Sequence, residues 1–258
     1  MKTLKLFLLF ASISFSTYVN AQTAEEIIAN YFEKTGGIDT WNKLEGIKIY
    51  AKVNQGGMEI PINIVQLKDG KQMTDITFQG KEIKQGVFDG ETLWSTNFMT
   101  QKAEKSDQEA TDNMKLDAND FPDPFLNYKE KGYSIELVGK ETMDGAETFK
   151  IKLTKEPITV DGAKEENVSF YYFDTENFVP IAVQTEIKSG QGKGMVSEIK
   201  MSDYQEVDGL YLPFSMTQGV KDQPGAQPIT IDKIELNPKV GADAFKFPEE
   251  KATEDKKN

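Results

Sequence analysis

The sequence predicts a mainly β protein, in which a strongly curved antiparallel sheet of roughly ten or eleven strands wraps an N-terminal helix and carries a lid-like helical insert. Within residues 46–98 and 133–236, many short runs alternate apolar with polar residues, which is typical of half-buried strands. Turns such as Asp69-Gly70 and Asp89-Gly90 separate these runs. A sheet with this many strands has to curl or close on itself.

One helix is predicted ahead of the strands, from Thr23 to about Lys34. Thr23 and Glu26 have the spacing of a capping box, and apolar residues recur behind them at helical intervals. Gly36-Gly37 ends this helix, and a second short helix or turn is predicted for Ile38 to Leu44. The apolar stripe of the first helix needs a surface to cover it, which a curved sheet provides.

Residues 99–132 interrupt the alternation. Ser106 to Met114 is predicted to be helical, Pro122 and Pro124 punctuate an acidic stretch, and Phe125 to Lys131 is expected to form another helical turn. An irregular segment of this size inside a meander is expected to be either a surface insert or a lid over an opening.

Residues 1–21 have the pattern of a secretory signal peptide. Two lysines precede an apolar run from Leu6 to Phe15, which is too short to span a bilayer, and Val19-Asn20-Ala21 suits cleavage. No Cys follows the run, so a lipid anchor is not expected. We expect export to the periplasm, one folded domain over residues 22–248, and a disordered charged tail over residues 249–258.

The composition excludes several kinds of chemistry. The 258 residues contain no Cys, no His and no Arg. Disulfides, thiolate or imidazole metal ligands, and Ser–His or Cys–His catalysis are therefore excluded. The formal net charge of −12 argues against nucleic acid and anionic membrane surfaces as partners. We predict no cofactor, no metal site and no catalytic residues.

Three local motifs resemble functional sites but lack the required context. Ser197 and Lys200 have the Ser-x-x-Lys spacing of acyl-serine enzymes, yet alternation places them on opposite sides of a strand. Three aspartates within residues 117–123 suggest calcium, but the Gly and Glu of an EF-hand loop are missing, which favours a solvated acidic loop. Three glycines within residues 190–194 lie between two strands, which predicts a hairpin loop.

The candidate binding site is an apolar groove between the curved sheet and the insert. Alternation places three isoleucines on the groove side, and aromatic residues and Met, which suit varied apolar ligands, bracket the insert. The candidate groove and lid residues are Ile49, Ile62, Ile64, Trp94, Phe98, Met99, Phe121 and Phe125.

Several segments resemble the LolA/LolB-like outer-membrane lipoprotein-sorting proteins of Bacteroidetes-type bacteria. They are Tyr31 to Leu44 with its Gly-Gly turn, Tyr171 to Asp174 with Val179-Pro180, Asp203 to Phe214 with its Tyr-x₄-Gly-x₃-Pro pattern, Ile234 to Pro238, and Ala244 to Pro248. The resemblance implies an incomplete antiparallel barrel, open on one side, with helices as a lid. It also implies a carrier that shields the acyl chains of lipoproteins.

The implied partners are acylated lipoproteins or free lipids, together with membrane-associated donor and acceptor proteins, and the carrier is expected to be a monomer. Carriers of this family use an Arg on an early strand to hold the lid. Because this chain has none, Lys48 and Lys52 are the candidates to replace it. Two alternatives stay open: a protein-binding or sensory module of the envelope, and a lyase or hydrolase that relies on Tyr, Lys and carboxylates.

Overall fold

The computed structural model describes residues 22–248, so the predicted signal peptide at residues 1–21 and the predicted tail at residues 249–258 lie outside the described residues. The described part of the chain contains three α-helices, which are α1 (Ala24–Lys34), α2 (Ile38–Asn42) and α3 (Gln108–Ala118). Within residues 22–248, none of the helices combines the length and the apolar character that crossing a membrane requires.

Thirteen strands of the described residues form a single antiparallel sheet. In chain order they are β1 (Gly46–Gln55), β2 (Met58–Leu67), β3 (Gln72–Phe78), β4 (Lys81–Phe88), β5 (Leu93–Thr96), β6 (Ala103–Lys105), β7 (Ser134–Met143), β8 (Ala146–Val160), β9 (Ala163–Asp174), β10 (Pro180–Glu186), β11 (Val196–Val207), β12 (Leu210–Val220) and β13 (Gln227–Leu236). Their spatial order is β6-β5-β4-β3-β2-β1-β13-β12-β11-β10-β9-β8-β7, which leaves β6 and β7 as unpaired edges.

The predicted architecture is confirmed, because the sheet is antiparallel, curved and not closed into a barrel. It has more strands than expected. Strand β6 is only three residues long, too short to show an alternating pattern, and it falls inside the segment that was predicted to interrupt the sheet. Residues 99–105 therefore belong to the β5–β6 hairpin and not to the insert.

Helix α1 begins where the capping residues predict. The Thr23 hydroxyl accepts from the Glu26 amide at 3.2 Å, and the Glu26 carboxylate accepts from the Thr23 amide at 3.0 Å. One face of the helix is buried among residues from both halves of the sheet; the buried side chains are Ala24, Ile27, Ile28, Tyr31 and Phe32. The sheet therefore wraps α1, as the sequence predicted.

The two faces of the sheet carry separate hydrophobic clusters. The inner cluster surrounds α1 and includes Ile47, Ala51 and Ile62. The outer cluster consists of Val65, Met73, Val87, Trp94 and Phe245, and the last of these comes from the segment that follows β13. Alternation separates the two clusters, because successive side chains of a strand point to opposite faces.

The segment between β6 and β7, residues 106–133 (the bridging segment), has to cross the open side of the sheet because these strands lie at opposite edges. Its helix α3 packs against β5 near one edge and β8 near the other. The Asn113 side chain exchanges two hydrogen bonds with the Thr159 backbone, at 2.7 and 2.9 Å. The Glu109 carboxylate accepts from both amides of the Asp161-Gly162 turn. The bridging segment thus fastens the two edges together.

The Gly36-Gly37 turn after α1 packs against the β11–β12 turn. Gly36 has a φ of +121°, and a Cβ at this position would lie 2.2 Å from the Gly209 carbonyl oxygen. The Tyr211 amide donates to the Thr35 carbonyl at 3.1 Å. Two of the segments that carry the family resemblance are therefore in direct backbone contact.

Gly36→Ala should destabilise the fold more than Gly37→Ala. Both residues have a positive φ, so each substitution has a backbone cost of about 1 kcal/mol, but a Cβ at Gly37 meets nothing within 4 Å. The overlap with Gly209 should add about 2 kcal/mol for Gly36→Ala. Urea unfolding of both variants measures the difference, and equal losses would contradict the close contact with Gly209.

Candidate functional site

An apolar cavity of about 360 Å³ (the main cavity) lies between the inner face of the sheet, α1 and the bridging segment. Its lining comes from β1, β2, β9–β13, both N-terminal helices and residues 122–123. The apolar part of this lining includes Ile47, Ile49, Val183, Ile199, Met201, Leu212, Met216, Ile231 and Ile234. Strands distant in sequence therefore share one concave apolar surface.

Asp123 marks the polar end of the main cavity. Its carboxylate accepts from the Tyr31 hydroxyl at 2.9 Å and from the Phe125 amide at 2.8 Å. The Lys131 ammonium donates to the Asp123 backbone carbonyl at 3.1 Å. Because Tyr31 belongs to α1, its hydrogen bond ties the bridging segment to the helix that the sheet encloses.

Burial shifts the pKa of the Asp123 carboxyl. Burial raises the pKa of the Asp123 carboxyl to about 6, against the opposing effects of the Phe125 amide, the Tyr31 hydroxyl and the Lys131 charge. Burial also raises the pKa of Tyr31, Tyr171 and Tyr204, and the negative charge of Asp123 adds to the rise for each of them. The carboxyl of Asp123 is thus surrounded by hydroxyls that stay neutral.

The two other aspartates of the triplet pair with Lys155 of the sheet and with Tyr133 of the bridging segment itself. The Lys155 ammonium of β8 contacts Asp117 at 3.1 Å and Asp120 at 2.5 Å, and the Tyr133 hydroxyl donates to Asp120 at 3.0 Å. The acidic loop is therefore not simply solvated, as was expected, because these ion pairs and this hydrogen bond hold the bridging segment in place. Among residues 22–248, no group of acidic side chains is arranged to hold a metal ion.

A second apolar cavity of about 410 Å³ (the distal cavity) opens farther along the same inner face. Val53, which lines it, and Ile49, which lines the main cavity, lie on strand β1 with the buried Ala51 between them. The other lining residues are Gln55, Ile60, Ile62, Ile76, Phe78, Phe98 and Gln227. The two cavities therefore follow one another along a single face.

The structure brings some of the predicted site residues to this face. Ile49 lines the main cavity, and Ile62 and Phe98 line the distal cavity. Ile64 packs against the inner cluster. Phe125 is buried in that cluster, where its ring meets Tyr171 edge-on at 4.7 Å.

Two other predicted residues, Trp94 and Met99, lie away from the inner face. Trp94 is buried in the outer cluster, where its indole N–H donates to the Phe245 carbonyl at 2.9 Å. Met99 is 91% exposed in the β5–β6 turn. Phe121 packs against the inner cluster, as Ile64 does, and also lines a smaller cavity of about 160 Å³ beside the end of α3. Strand β5 has only four residues, so its sequence could not show which face Trp94 occupies.

The lysines proposed to replace the missing Arg are on the outer face. Lys48 places its ammonium 4.7 Å from the ring centroid of Tyr50, and Lys52 pairs with Asp232 of β13 at 3.3 Å. The bridging segment is instead held by Lys155 and Tyr31. The expectation for Lys48 and Lys52 is therefore wrong, because alternation turns both away from the side chains of β1 that join the inner cluster.

Sequence reasoning missed the polar residues of the main cavity. Tyr31, Tyr171 and Tyr204 lie in the segments that carry the resemblance, but no role was assigned to them. The Tyr204 hydroxyl donates to the Pro180 carbonyl at 2.6 Å and so joins two of these segments. The sequence feature that could have identified these residues is the recurrence of Tyr in these segments.

Comparison with solved structures defines the class of fold. The chain is similar to a LolA superfamily protein from Nitrosomonas europaea, with a TM-score of 0.51 and 14% identity over 88% of this chain and 98% of that one. It is also similar to a Vibrio parahaemolyticus domain named for outer membrane lipoprotein sorting, with a TM-score of 0.51 and 10% identity over 85% and 94% of the two chains.

A DUF1329 family protein from Desulfovibrio piger has the same TM-score of 0.51, with 14% identity over 85% of this chain and 97% of that one. No protein-family model and no curated protein matches the chain. The chain has a LolA-like fold. The resemblance noted in the sequence is thus confirmed at the level of the fold.

Tyr31→Phe should loosen the bridging segment. The substitution removes the hydrogen bond to the buried Asp123 carboxylate, with an expected loss of about 1 to 3 kcal/mol in the free energy of unfolding. Amide hydrogen exchange should accelerate around residues 121–126. Tyr133→Phe is the matched control, because Asp120 keeps its pairing with Lys155. Unchanged exchange in Tyr31→Phe would contradict the linking role of Tyr31.

Asp123→Asn should change how stability depends on pH. The pKa of Asp123 is about 6 in the folded chain against an ordinary 3.8, so the unfolded chain releases this proton at lower pH. The folded state of the parent protein is therefore disfavoured as pH rises from about 4 through 6, by up to about 3 kcal/mol. Relative to the parent, Asp123→Asn should gain stability over that interval. Urea unfolding of both proteins at pH 4.5 and 7.5 measures this, and a pH-independent difference would argue against a buried, titrating Asp123.

Proposed function

We propose that this protein is a periplasmic carrier that binds acyl chains along the inner face of its sheet and takes lipoproteins destined for the outer membrane as cargo. The observation that carries the proposal is the apolar inner face, which the protein's own side chains leave partly unfilled. The main and distal cavities have volumes of about 360 and 410 Å³. Pockets that hold small ligands range from about 300 to 1,000 Å³.

Hydrocarbon burial supplies the binding energy in this proposal. Each CH₂ group removed from water contributes about 0.8 kcal/mol, so part of an acyl chain is enough to offset the cost of association. Release requires only a receiver whose groove binds the chain more tightly. Carriage therefore needs no chemical step, which is consistent with a protein that is not an enzyme.

The bridging segment is the proposed cover of the groove. It is joined covalently to both edges of the sheet, and the contacts from Tyr31 and Lys155 hold its middle. Breaking these contacts would let the middle of the segment move while the sheet keeps its pairing. Two aspartates, Asp120 and Asp123, are thus proposed to take the holding role that an Arg has in the lipoprotein carriers of this family.

Two further observations support the location and the cargo. The pattern of a signal peptide in residues 1–21 favours the periplasm. The Vibrio parahaemolyticus domain, which shares the fold, is named for outer membrane lipoprotein sorting. The first observation supports the location, and the second supports lipoproteins over soluble apolar metabolites as cargo.

A protein-binding role in the envelope is the second candidate, and a group of exposed side chains favours it. Met58, Phe98, Met99 and Met195 are 53%, 57%, 91% and 47% exposed. They lie in or beside the β1–β2, β5–β6 and β10–β11 connections. Because all neighbouring strands are antiparallel, these connections are at the same end of the sheet.

Native mass spectrometry distinguishes the two candidates. The protein is purified from its own periplasm without detergent, and the bound material is extracted into organic solvent. A bound lipid or lipoprotein acyl group supports the carrier. A clean apo mass, together with no uptake of added lipid, would overturn the carrier and favour the protein-binding role.

Ile49→Gln should weaken acyl binding about tenfold, because the amide replaces apolar lining in the main cavity. Lys48→Gln is the matched control, since it places the same side chain on the opposite face of the same strand. Displacement of N-phenyl-1-naphthylamine by monododecanoylglycerol gives both affinities, and thermal unfolding verifies that both variants fold. Equal affinities would count against the inner face as the binding surface.

A further inference from the structure

The main cavity is apolar, and the charge in its lining is negative. Asp123 is the one charged side chain among the described residues that line it, and no lysine takes part in the lining. Two of the lining hydroxyls are already engaged within the protein, since Tyr31 donates to Asp123 and Tyr204 donates to the Pro180 carbonyl. A ligand in this cavity therefore meets a carboxylate with no lysine beside it in the lining.

The charged groups next to the cavity do not offset the negative charge of Asp123. Asp117 and Asp120 share the ammonium of Lys155. Lys131 binds the Asp123 backbone carbonyl and does not line the cavity. Three carboxylates thus face two ammonium groups, so the cluster keeps an excess of negative charge when all of them are ionised.

We propose that the main cavity selects acyl ligands with an uncharged head group that donates a hydrogen bond, such as a hydroxyl or an amide N–H, and rejects free fatty acids and other anionic lipids. This inference rests on the proposed carrier function, because it specifies the ligand class of the same groove. Each Asp123 oxygen accepts one bond from the protein and has a further acceptor position for the ligand.

The physical reason is the low polarity of the cavity. A second carboxylate or a phosphate beside Asp123 would be a like charge, desolvated and without a counter-ion, and both effects disfavour binding. A neutral head group avoids the repulsion and can satisfy the carboxylate.

Protonation of Asp123 should weaken the selection. The titratable groups that face it are Tyr31 from α1, Tyr171 from β9, Tyr204 from β11, and Asp120 and Lys131 from the bridging segment. The pKa of each of the three tyrosines is raised, so they stay neutral. Asp123, with a pKa of about 6, is the group that loses its charge as pH falls through that value.

The test compares two ligands with the same twelve-carbon chain. Dodecanoate is anionic at pH 8, and monododecanoylglycerol is neutral and has free hydroxyls. Each displaces N-phenyl-1-naphthylamine from the full protein. The neutral ligand should act at about a tenfold lower concentration.

Asp123→Asn removes the charge without changing the shape, and it should reduce the preference several-fold at pH 8. Asp112→Asn is the matched control, because it removes the same charge from an exposed position of the same segment, outside the main cavity. It should leave the preference close to that of the parent. Circular dichroism verifies that both variants fold.

The outcomes separate the two proposals. A preference for the neutral ligand that shrinks in Asp123→Asn, but not in Asp112→Asn, supports the inference. Equal displacement by both ligands, or a preference that Asp123→Asn leaves intact, overturns the inference and leaves the carrier standing. Failure of both ligands to displace the probe overturns the carrier function and the inference with it.

Discussion

The placement of consecutive strands β6 and β7 at opposite edges of the sheet is the constraint on which the rest of the structure depends. Any chain that joins them has to cross the open side. Within the bridging segment, α3 packs against β5 near one edge and β8 near the other, which keeps the edges close and the sheet curved around α1. The inner face becomes a groove that is covered on one side by residues 106–133 and filled in part by the helix.

The bridging segment is attached by polar groups whereas the groove is apolar, and this difference suits the proposed carrier function. Apolar surfaces bind hydrocarbon without strict geometry, whereas hydrogen bonds and ion pairs define one closed position. Tyr31 and Lys155 hold the bridging segment through Asp123 and Asp120. Asp123 has both roles, since it lies at the boundary between the cover and the main cavity. In the proposed carrier, its protonation connects the attachment of the cover to the choice of ligand.

The segments that resemble lipoprotein-sorting proteins meet in space. Gly36 packs on the Gly209 carbonyl, and the Tyr204 hydroxyl binds the Pro180 carbonyl. These contacts account for the Gly and the Tyr of the pattern, because both residues act at junctions between elements. A Gly is needed where a Cβ would overlap a carbonyl, and a Tyr reaches an acceptor on a neighbouring strand.

Local patterns were sufficient for α1 and for β1 and β2, because a capping box and a period of two residues are properties of neighbouring positions. They also identified Ile49 and Ile62 as inward-facing residues. Long-range packing alone assigned Trp94 to the outer face and paired the aspartates with Lys155 and Tyr31. The physical reason is that β5 is too short to have a readable register, and a carboxylate takes its partner from strands and helices that only the completed fold brings near.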